Sequence, residues 1–457
     1  MNENVLWVVL CVLALFLGSM VWMGIRSQRY NTTFESSLTA GKSTSFLLIT
    51  ASAMGAHIGS GFVVGSAEYG AGYGIGGAWY GICCGLSFVV AGLFLSRVFR
   101  SLGCISISQY LQTRYHDNVT PLIYSVSNVF SGISIIAGQL LAGKALFSAV
   151  GFDGTSGVII LAVVAFIFVS LSGMWGVLAA SAVQTAVIAA GMIIALAVTV
   201  AQHGTSIITQ SLPSSYFSIQ PYDPETFVQL TVPTLVFAQI SQFAFQRFVS
   251  ADSEHSARLG HVLGGLILIP LAMIPTVLGM YGRVLFPSGP DGEVFIDLVA
   301  TYLPVLVSGV LIAAILCAVI SSCNGTFLMI NTCLIHDIWK GICCPNASDR
   351  SMHLLSTLCN GVVCLIGIAL ALTDSRVLVM MSFGYTFMIS GCLIPFFGGI
   401  VWKRPGAKAA IASSAAGILT SVVYVFDLFP IPFGSIFPVI PSLVAYVVAG
   451  WLSGREK

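Results

Sequence analysis

Charged side chains are scarce in this chain of 457 residues, since Asp, Glu, Lys and Arg together make up only 8% of it. Soluble domains carry about 25% charged residues, so this chain cannot cover a water-exposed surface. Its hydrophobic fraction of 57% instead forms apolar stretches of about twenty residues, the length that crosses a bilayer as a helix. The composition excludes a disordered chain, a nucleic-acid binder and an ordinary cytosolic enzyme. It predicts an all-α polytopic membrane protein embedded in a lipid bilayer.

Catalytic and metal-binding motifs are also missing. The sequence contains no G-x-S-x-G, no H-E-x-x-H, no P-loop and no pair of intramembrane Asp residues. Most of its 12 cysteines fall inside apolar runs, where free Cys packs as a small hydrophobe, and no Cys/His spacing matches a zinc site. The sequence therefore predicts neither an enzyme nor a bound cofactor.

The apolar stretches predict about 13 transmembrane helices. They lie at roughly 4–25, 44–69, 75–99, 120–149, 156–174, 177–201, 228–249, 260–285, 303–336, 353–373, 377–401, 407–427 and 434–452. If the N-terminus is outside, only Lys144, Arg283 and Arg376 of the 18 basic residues fall away from the cytoplasmic side. The positive-inside rule thus predicts a multi-pass protein of the cell membrane, in bacteria the inner membrane, with its C-terminus in the cytoplasm.

The second predicted span is unusually rich in glycine at mid-membrane depth. Glycine weakens a helix, and unwound backbone at that depth is tolerated only around a cavity or inside protein. Carbonyls freed by unwinding are ligands for a hard cation. The alternative is an intact helix with a close-packing glycine face. The residues concerned are Gly55, Gly59, Gly61 and Gly65, beside His57 and Ser60.

Two adjacent hydroxyls, Ser321 and Ser322, lie deep in the ninth predicted span. Such hydroxyls can simply hydrogen-bond to carbonyls one turn earlier. Opposite a broken second span, the same pair becomes a candidate for binding sodium.

Several strings along the chain resemble the sodium:solute symporter family. The seventh span ends in Gln246-Arg247, followed by the acidic and basic residues Asp252 and Arg258, which is similar to the signature of that family. Further similar strings are Tyr69-Gly-x-Gly, Trp175-Gly-x-Leu-Ala…Gln184, Ala318-Val-Ile-Ser-Ser…Asp337-Ile-Trp-Lys340 and Trp402-Lys-Arg404.

This resemblance implies a leucine-transporter-type inverted repeat of five plus five helices, with broken helices. Residues 1–43 would hold the first span and a cytoplasmic loop, 44–201 the first repeat (spans 2–6), 228–401 the second repeat (spans 7–11), and 402–457 two further spans and a short tail. In span seven, Pro233, Gln239, Ser241 and Gln242 are the break signals.

The resemblance also implies sodium-coupled symport of a small organic solute into the cell by alternating access. Sodium, as the coupling ion, would be bound by the backbone carbonyls of Gly55, Ile58 and Ala318 and by the hydroxyls of Ser321 and Ser322. Some members hold a second sodium near a span-six Asp and extra span-nine serines. The matching positions here are Ser181 and Gly325, so we expect one sodium per solute.

Sugar-carrying members resemble one another in a span-two Gln, a span-three Glu, a span-seven Asn and a span-eight Lys. Phe62, Gly81 and Thr234 occupy the first three positions here, and span eight contains no Lys. A sugar is therefore disfavoured, because hydroxyl-rich ligands need convergent hydrogen-bonding groups. We expect a small carboxylate or amino-acid-like zwitterion. The candidate substrate-binding residues are His57, Ser60, Gln139, Lys144, Thr234 and Phe237.

The sequence allows more than one role for each of three ionisable residues in the predicted spans. Lys144 either pairs with a substrate carboxylate or extends its charge outward to the interface. Glu68 lines the outer vestibule, pairs with Lys144 or holds a substrate ammonium. His57 is a hydrogen-bonded packing residue or a protonatable group, and the latter corresponds to a proton-coupled carrier of the same fold. A transporter-like membrane sensor would require a long cytoplasmic signalling tail, whereas the predicted last span ends close to Lys457.

Overall fold

The computed structural model describes residues 3–149, 151–220, 222–289, 294–373, 377–426 and 428–453. Within these ranges the chain is helical and contains no β-strand; only Thr44 and Ala251 form an isolated bridge. The all-α fold is therefore confirmed. Arg376 and the last four residues of the predicted tail lie outside the described residues.

The first ten helices are α1 Glu3–Ser27, α2 Phe34–Thr39, α3 Phe46–His57, α4 Ser66–Tyr73, α5 Trp79–Val90, α6 Ser96–Ser101, α7 Ile107–Tyr115, α8 Val119–Ala149, α9 Gly154–His203 and α10 Ser206–Ser211. The next ten are α11 Pro224–Ile240, α12 Gln242–Ser250, α13 Glu254–Leu271, α14 Met273–Leu285, α15 Val294–Tyr302, α16 Val305–Asn331, α17 Asp349–Ala371, α18 Val377–Val401, α19 Ala407–Val425 and α20 Val439–Ser453. π-Helical segments lie at Gly61–Gly65, Ala91–Leu95 and Thr332–Cys343.

Each of the 13 predicted spans overlaps at least one of these helices. By length and composition, 9 helical segments in the described ranges can cross a membrane, or 10 if the bent pair α11 and α12 counts as one span. The exact number of crossings stays a prediction.

Helix α9 joins predicted spans five and six in one run of 50 residues. A straight helix of that length would measure about 75 Å, more than twice the hydrocarbon core of a bilayer. The run is interrupted at Gly173, whose backbone has φ 59° and ψ −177°. Glycine adopts a positive φ at little cost in free energy, because it has no Cβ. The two halves of α9 therefore change direction at Gly173.

The first helix of each predicted repeat is broken, as the inverted repeat implies. Helix α3 ends at His57, and the next residue, Ile58, has the non-helical angles φ −71° and ψ 73°. Helices α11 and α12 are separated by the extended residue Ser241 and meet at 43°. The division of the chain into two repeats at the predicted boundaries stays a prediction.

Helix α16 lies at the centre of the molecule, packed against α1, α8 and α9. Its apolar side chains are buried on every side, from Leu311 to Ile330. Helix α18 packs on α8, and α13 packs on both α3 and α5. This arrangement brings the break after α3 close to the middle of α16.

Candidate functional site

The break after α3 releases two backbone carbonyls. The N–H of Gly59 donates to the carbonyl of His57 at 2.7 Å, and the N–H of Ser60 donates to Oε1 of Gln139 on α8 at 3.1 Å. In a continuous helix these two N–H groups would donate to Gly55 and Ala56 instead. The Gly55 carbonyl is thus relieved of its helical donor, as the proposed ligand role requires.

Two adjacent hydroxyls of α16 lie near this break, and that of Ser322 faces Gly59. Ser321 and Ser322 are both buried, and Ser321 Oγ lies 2.8 Å from Ser181 Oγ on α9. Ser322 Oγ has no hydrogen-bond partner among the described residues. A buried hydroxyl without a partner is costly, and an oxygen in that state is available to a cation. Ala318 is buried one turn earlier on the same helix.

Close approach between α3, α8, α9 and α16 defines the size of the site. A Cβ built on Gly59 would lie 2.9 Å from Ser322 Oγ and 2.9 Å from Gln139 Nε2. A Cβ built on Gly55 would lie 2.6 Å from Thr185 Oγ1 on α9. The break after α3 therefore lies within contact distance of Ser322, with Gln139 closing one side.

The second break, between α11 and α12, is held by side chains of α8. Tyr124 Oη donates to the carbonyl of Ile240 at 2.8 Å, and Asn128 Oδ1 accepts from the N–H of Gln242 at 3.1 Å. Ser241 itself caps α12, since its Oγ accepts from the N–H of Phe243. The Ile240 carbonyl and the N–H groups of Gln242 and Phe243 are thus satisfied within the protein, as the apolar surroundings demand.

A small cavity of about 20 Å³ lies between the two breaks. Three of the six candidate substrate-binding residues line it, namely His57, Gln139 and Phe237, and so does Ser322. The rings of His57 and Phe237 are 5.7 Å apart, and those of Phe237 and Tyr385 are 4.9 Å apart. Among the described residues lining the cavity there is no Asp, Glu, Lys or Arg. Ser322 therefore belongs both to the candidate coupling-ion site and to the lining of the cavity.

The other three candidate substrate residues do not line this cavity. Ser60 is buried at the break, and its Oγ finds no partner within the described ranges. Thr234 lies one turn before Phe237, and its Oγ1 donates to Leu230 at 2.9 Å. Lys144 is half-buried near the C-terminal end of α8, and the Cγ of its side chain lies 3.0 Å from where a Cβ of Gly154 would be. The structure thus brings Lys144 to the start of α9, not to the cavity.

The sequence analysis did not predict several residues that line the cavity, among them Tyr80, Ile135, Phe243, Thr326, Met381 and Tyr385. Helix periodicity could have pointed to two of them. Thr326 lies four residues after Ser322, and Tyr385 lies four residues after Met381, so each pair shares one helix face. Tyr80 follows a glycine-rich turn, and its position in the cavity depends on how α5 packs, which no local pattern shows.

Known proteins similar to this chain are transporters, not enzymes. It is 25% identical to the sodium/glucose cotransporter 4 of Danio rerio, over 91% of this chain and 70% of that relative. It is also 25% identical to the high-affinity proline transporter PutP of Bacillus subtilis, over 70% of each chain. Because one relative is named for glucose and the other for proline, these similarities leave the substrate open.

A solved structure shares the fold. The substrate-bound outward-open state of a Na⁺-coupled sialic acid symporter matches with a TM-score of 0.82 and 18% sequence identity, covering 97% of this chain and 98% of that one. The model of the sodium:solute symporter family matches residues 38–417, which is most of the chain. This multi-pass membrane protein belongs to the sodium:solute symporter family.

Proposed function

We propose that this protein carries a small carboxylate or amino-acid-like zwitterion into the cell together with sodium, by alternating access. The observation that carries the proposal is Ser322, whose buried hydroxyl faces both the broken helix and the cavity. Sodium would be held by the Gly55, Ile58 and Ala318 carbonyls and by the Ser321 and Ser322 hydroxyls. The membrane potential contributes about 2.3 kcal/mol per charge per 100 mV to its entry.

The absence of charged residues among the described lining favours a substrate without a net positive charge. A sodium ion beside Ser322 would lie at the wall of the cavity and could balance a substrate carboxylate. The aromatic rings of Phe237 and Tyr385, with the hydroxyl of Tyr80, suit a compact body bearing an ammonium group. Since the cavity measures only about 20 Å³, its side chains must move apart to admit such a solute.

A sugar fits less well. The two positions that bear Gln and Glu in sugar-carrying members are Phe62 and Gly81, and they touch: a Cβ on Gly81 would lie 2.9 Å from the Phe62 ring. Phe62 is fully buried. An apolar contact therefore replaces the hydrogen-bonding pair that a sugar would need.

Proton coupling is the competing function, and His57 is the observation behind it. Its Nε2 is buried without a hydrogen-bond partner in the described part of the chain, and its ring borders the cavity. We expect sodium to be the coupling ion, because the oxygens at the break are neutral carbonyls and hydroxyls.

A thermal-shift screen of purified protein against amino acids, carboxylates and sugars, in sodium and in choline, identifies the substrate class. Uptake of the best stabilising compound is then measured with and without sodium at fixed pH. We expect stabilisation by a small zwitterion or carboxylate that depends on sodium. Stabilisation by a sugar would refute the substrate class, and sodium-independent, proton-driven uptake would refute the coupling ion.

A further inference from the structure

A second cavity, of about 110 Å³, lies near Gly173 at the end of the helices that the positive-inside rule places in the cytoplasm. We call it the asparagine cavity, because Asn31, Asn331 and Asn360 line it together. Asn331 ends α16, Asn360 belongs to α17, and Asn31 precedes α2. Asn331 follows Ser321 by ten residues on α16, about 15 Å along the helix axis. The cavity is thus separate from the candidate coupling-ion site.

The three asparagines present oxygens that lack donors. Asn331 and Asn360 are more than nine-tenths buried, and the Oδ1 atoms of all three asparagines have no hydrogen-bond partner in the described ranges. The orientation of Asn31 is fixed, since its Nδ2 donates to the carbonyl of Ser172 at 3.1 Å. A buried amide oxygen that accepts no hydrogen bond from the protein is stabilised by a hydrogen-bond donor or by a cation.

The hydroxyls around the cavity add further acceptors. Each donates its proton to a backbone carbonyl of its own helix, three or four residues earlier, so only oxygen lone pairs remain for the cavity. The four residues are Ser37, Ser170, Ser356 and Thr357, with hydrogen-bond distances from 2.6 to 3.0 Å. The lining is therefore rich in hydrogen-bond acceptors.

The charge of the lining selects among cations. Of the described residues that line the cavity, none is Asp, Glu, Lys or Arg, and His353 is the one titratable group, its ring edge-on to Phe34 at 5.2 Å. Divalent cations are bound in proteins mainly through carboxylates. Neutral carbonyl oxygens instead replace the hydration shell of monovalent ions. A cavity of about 110 Å³ leaves room for such an ion together with water.

We propose that the asparagine cavity binds a monovalent alkali cation, sodium or potassium, through the amide oxygens of Asn31, Asn331 and Asn360. The ion links the end of α16 and α17 to the break of α9, because Asn31 lies flat against Gly173, its Cγ 2.9 Å from where a Cβ would be. Its binding stabilises this end of the protein independently of the coupling ion.

Binding of radiolabelled sodium and of radiolabelled rubidium, a substitute for potassium, tests the proposal on purified full-length protein. The Ser322→Ala background weakens the coupling-ion site, so that the remaining binding is measured. We expect saturable binding of sodium, of rubidium or of both. Asn331→Leu and Asn360→Leu should each raise the dissociation constant of that ion tenfold or more. The control Asn346→Leu changes an exposed asparagine and should leave binding unaltered.

A charge-adding variant keeps the test decisive if the leucine variants fold poorly. Asn331→Asp should tighten cation binding about tenfold and raise the melting temperature in that ion, relative to N-methylglucamine. Absence of saturable binding of both ions, or an Asn331→Asp variant that binds no more tightly, would show that the cavity holds only water and would overturn the proposal.

Discussion

Replacing Ser322 by alanine separates a sodium ligand from a merely structural hydroxyl. Ser322 Oγ is buried and has no hydrogen-bond partner among the described residues, yet a Cβ on Gly59 would lie only 2.9 Å from it. If Ser322 has no ligand role, alanine removes an unsatisfied polar atom, and the sodium-free protein becomes no less stable. If it binds sodium, the same change weakens sodium binding without loss of stability in choline.

The magnitude follows from the loss of one buried oxygen ligand. Such a loss costs about 1–3 kcal/mol, which raises the half-saturating sodium concentration about 5- to 150-fold. Ser321→Ala should weaken sodium binding as well, but it also deprives Ser181 Oγ of its partner at 2.8 Å. We therefore expect Ser321→Ala to lower the melting temperature in choline and Ser322→Ala not to.

The assay is binding of radiolabelled sodium to purified protein, with thermal unfolding in choline measured on the same samples. Ser308→Ala, on the same helix, is the control, because Ser308 Oγ donates to the carbonyls of Val299 and Leu303 away from the break. It should lower stability and leave sodium affinity unchanged. Unaltered sodium affinity in both Ser321→Ala and Ser322→Ala would refute the assignment of this site.

Four further outcomes are expected. Gly59→Ala should abolish saturable sodium binding while the protein remains folded, because its Cβ would lie 2.9 Å from Ser322 Oγ; normal binding would place the ion elsewhere. Lys144→Gln should leave substrate affinity within about twofold, since Lys144 packs at Gly154; loss of a buried charge partner would instead cost about 3–5 kcal/mol. The hydrogen bond from Lys340 at 2.9 Å holds the pKa of Glu35 below its ordinary 4.5, so this pair stabilises the protein above that pH. Glu35→Gln should therefore cost at most about 1 kcal/mol at pH 7 for this partly exposed pair, a difference that disappears as acid protonates the wild-type carboxylate; a difference that persists at low pH would contradict this origin. Reversal potentials of proteoliposomes should give one sodium per solute, and a ratio of two would show that a second ion is bound near Ser181.

The sequence predicted the positions of the helices well, because an apolar stretch of about twenty residues has few alternatives to a membrane helix. Glycines at mid-membrane depth indicated either unwound backbone or a close-packing helix face, and the structure has a break at Ile58. The length of α9 was less evident, since its interruption at Gly173 is a single backbone conformation inside a continuous apolar run.

The residues of the candidate coupling-ion site were easier to predict from the sequence than those of the substrate cavity. Ser321 and Ser322 stand out as a polar pair inside an apolar helix; Ser322 lies beside Gly59 at the break, and Ser321 contacts Ser181 on α9. Tyr80, by contrast, is an ordinary aromatic residue of its span, and it reaches the cavity only through helix packing. Lys144 stood out by its charge, although its side chain packs beside Gly154.

Sodium-driven accumulation in proteoliposomes tests the central claim most directly. Purified protein is reconstituted, and uptake of the stabilising solute is followed under an inward sodium gradient at equal pH on both sides, then under an inward proton gradient without sodium. Sodium-coupled symport predicts transient accumulation above equilibrium in the first condition and none in the second, with Ser322→Ala requiring more sodium than wild type. Accumulation driven by protons alone, or equilibration unaffected by sodium, would contradict it.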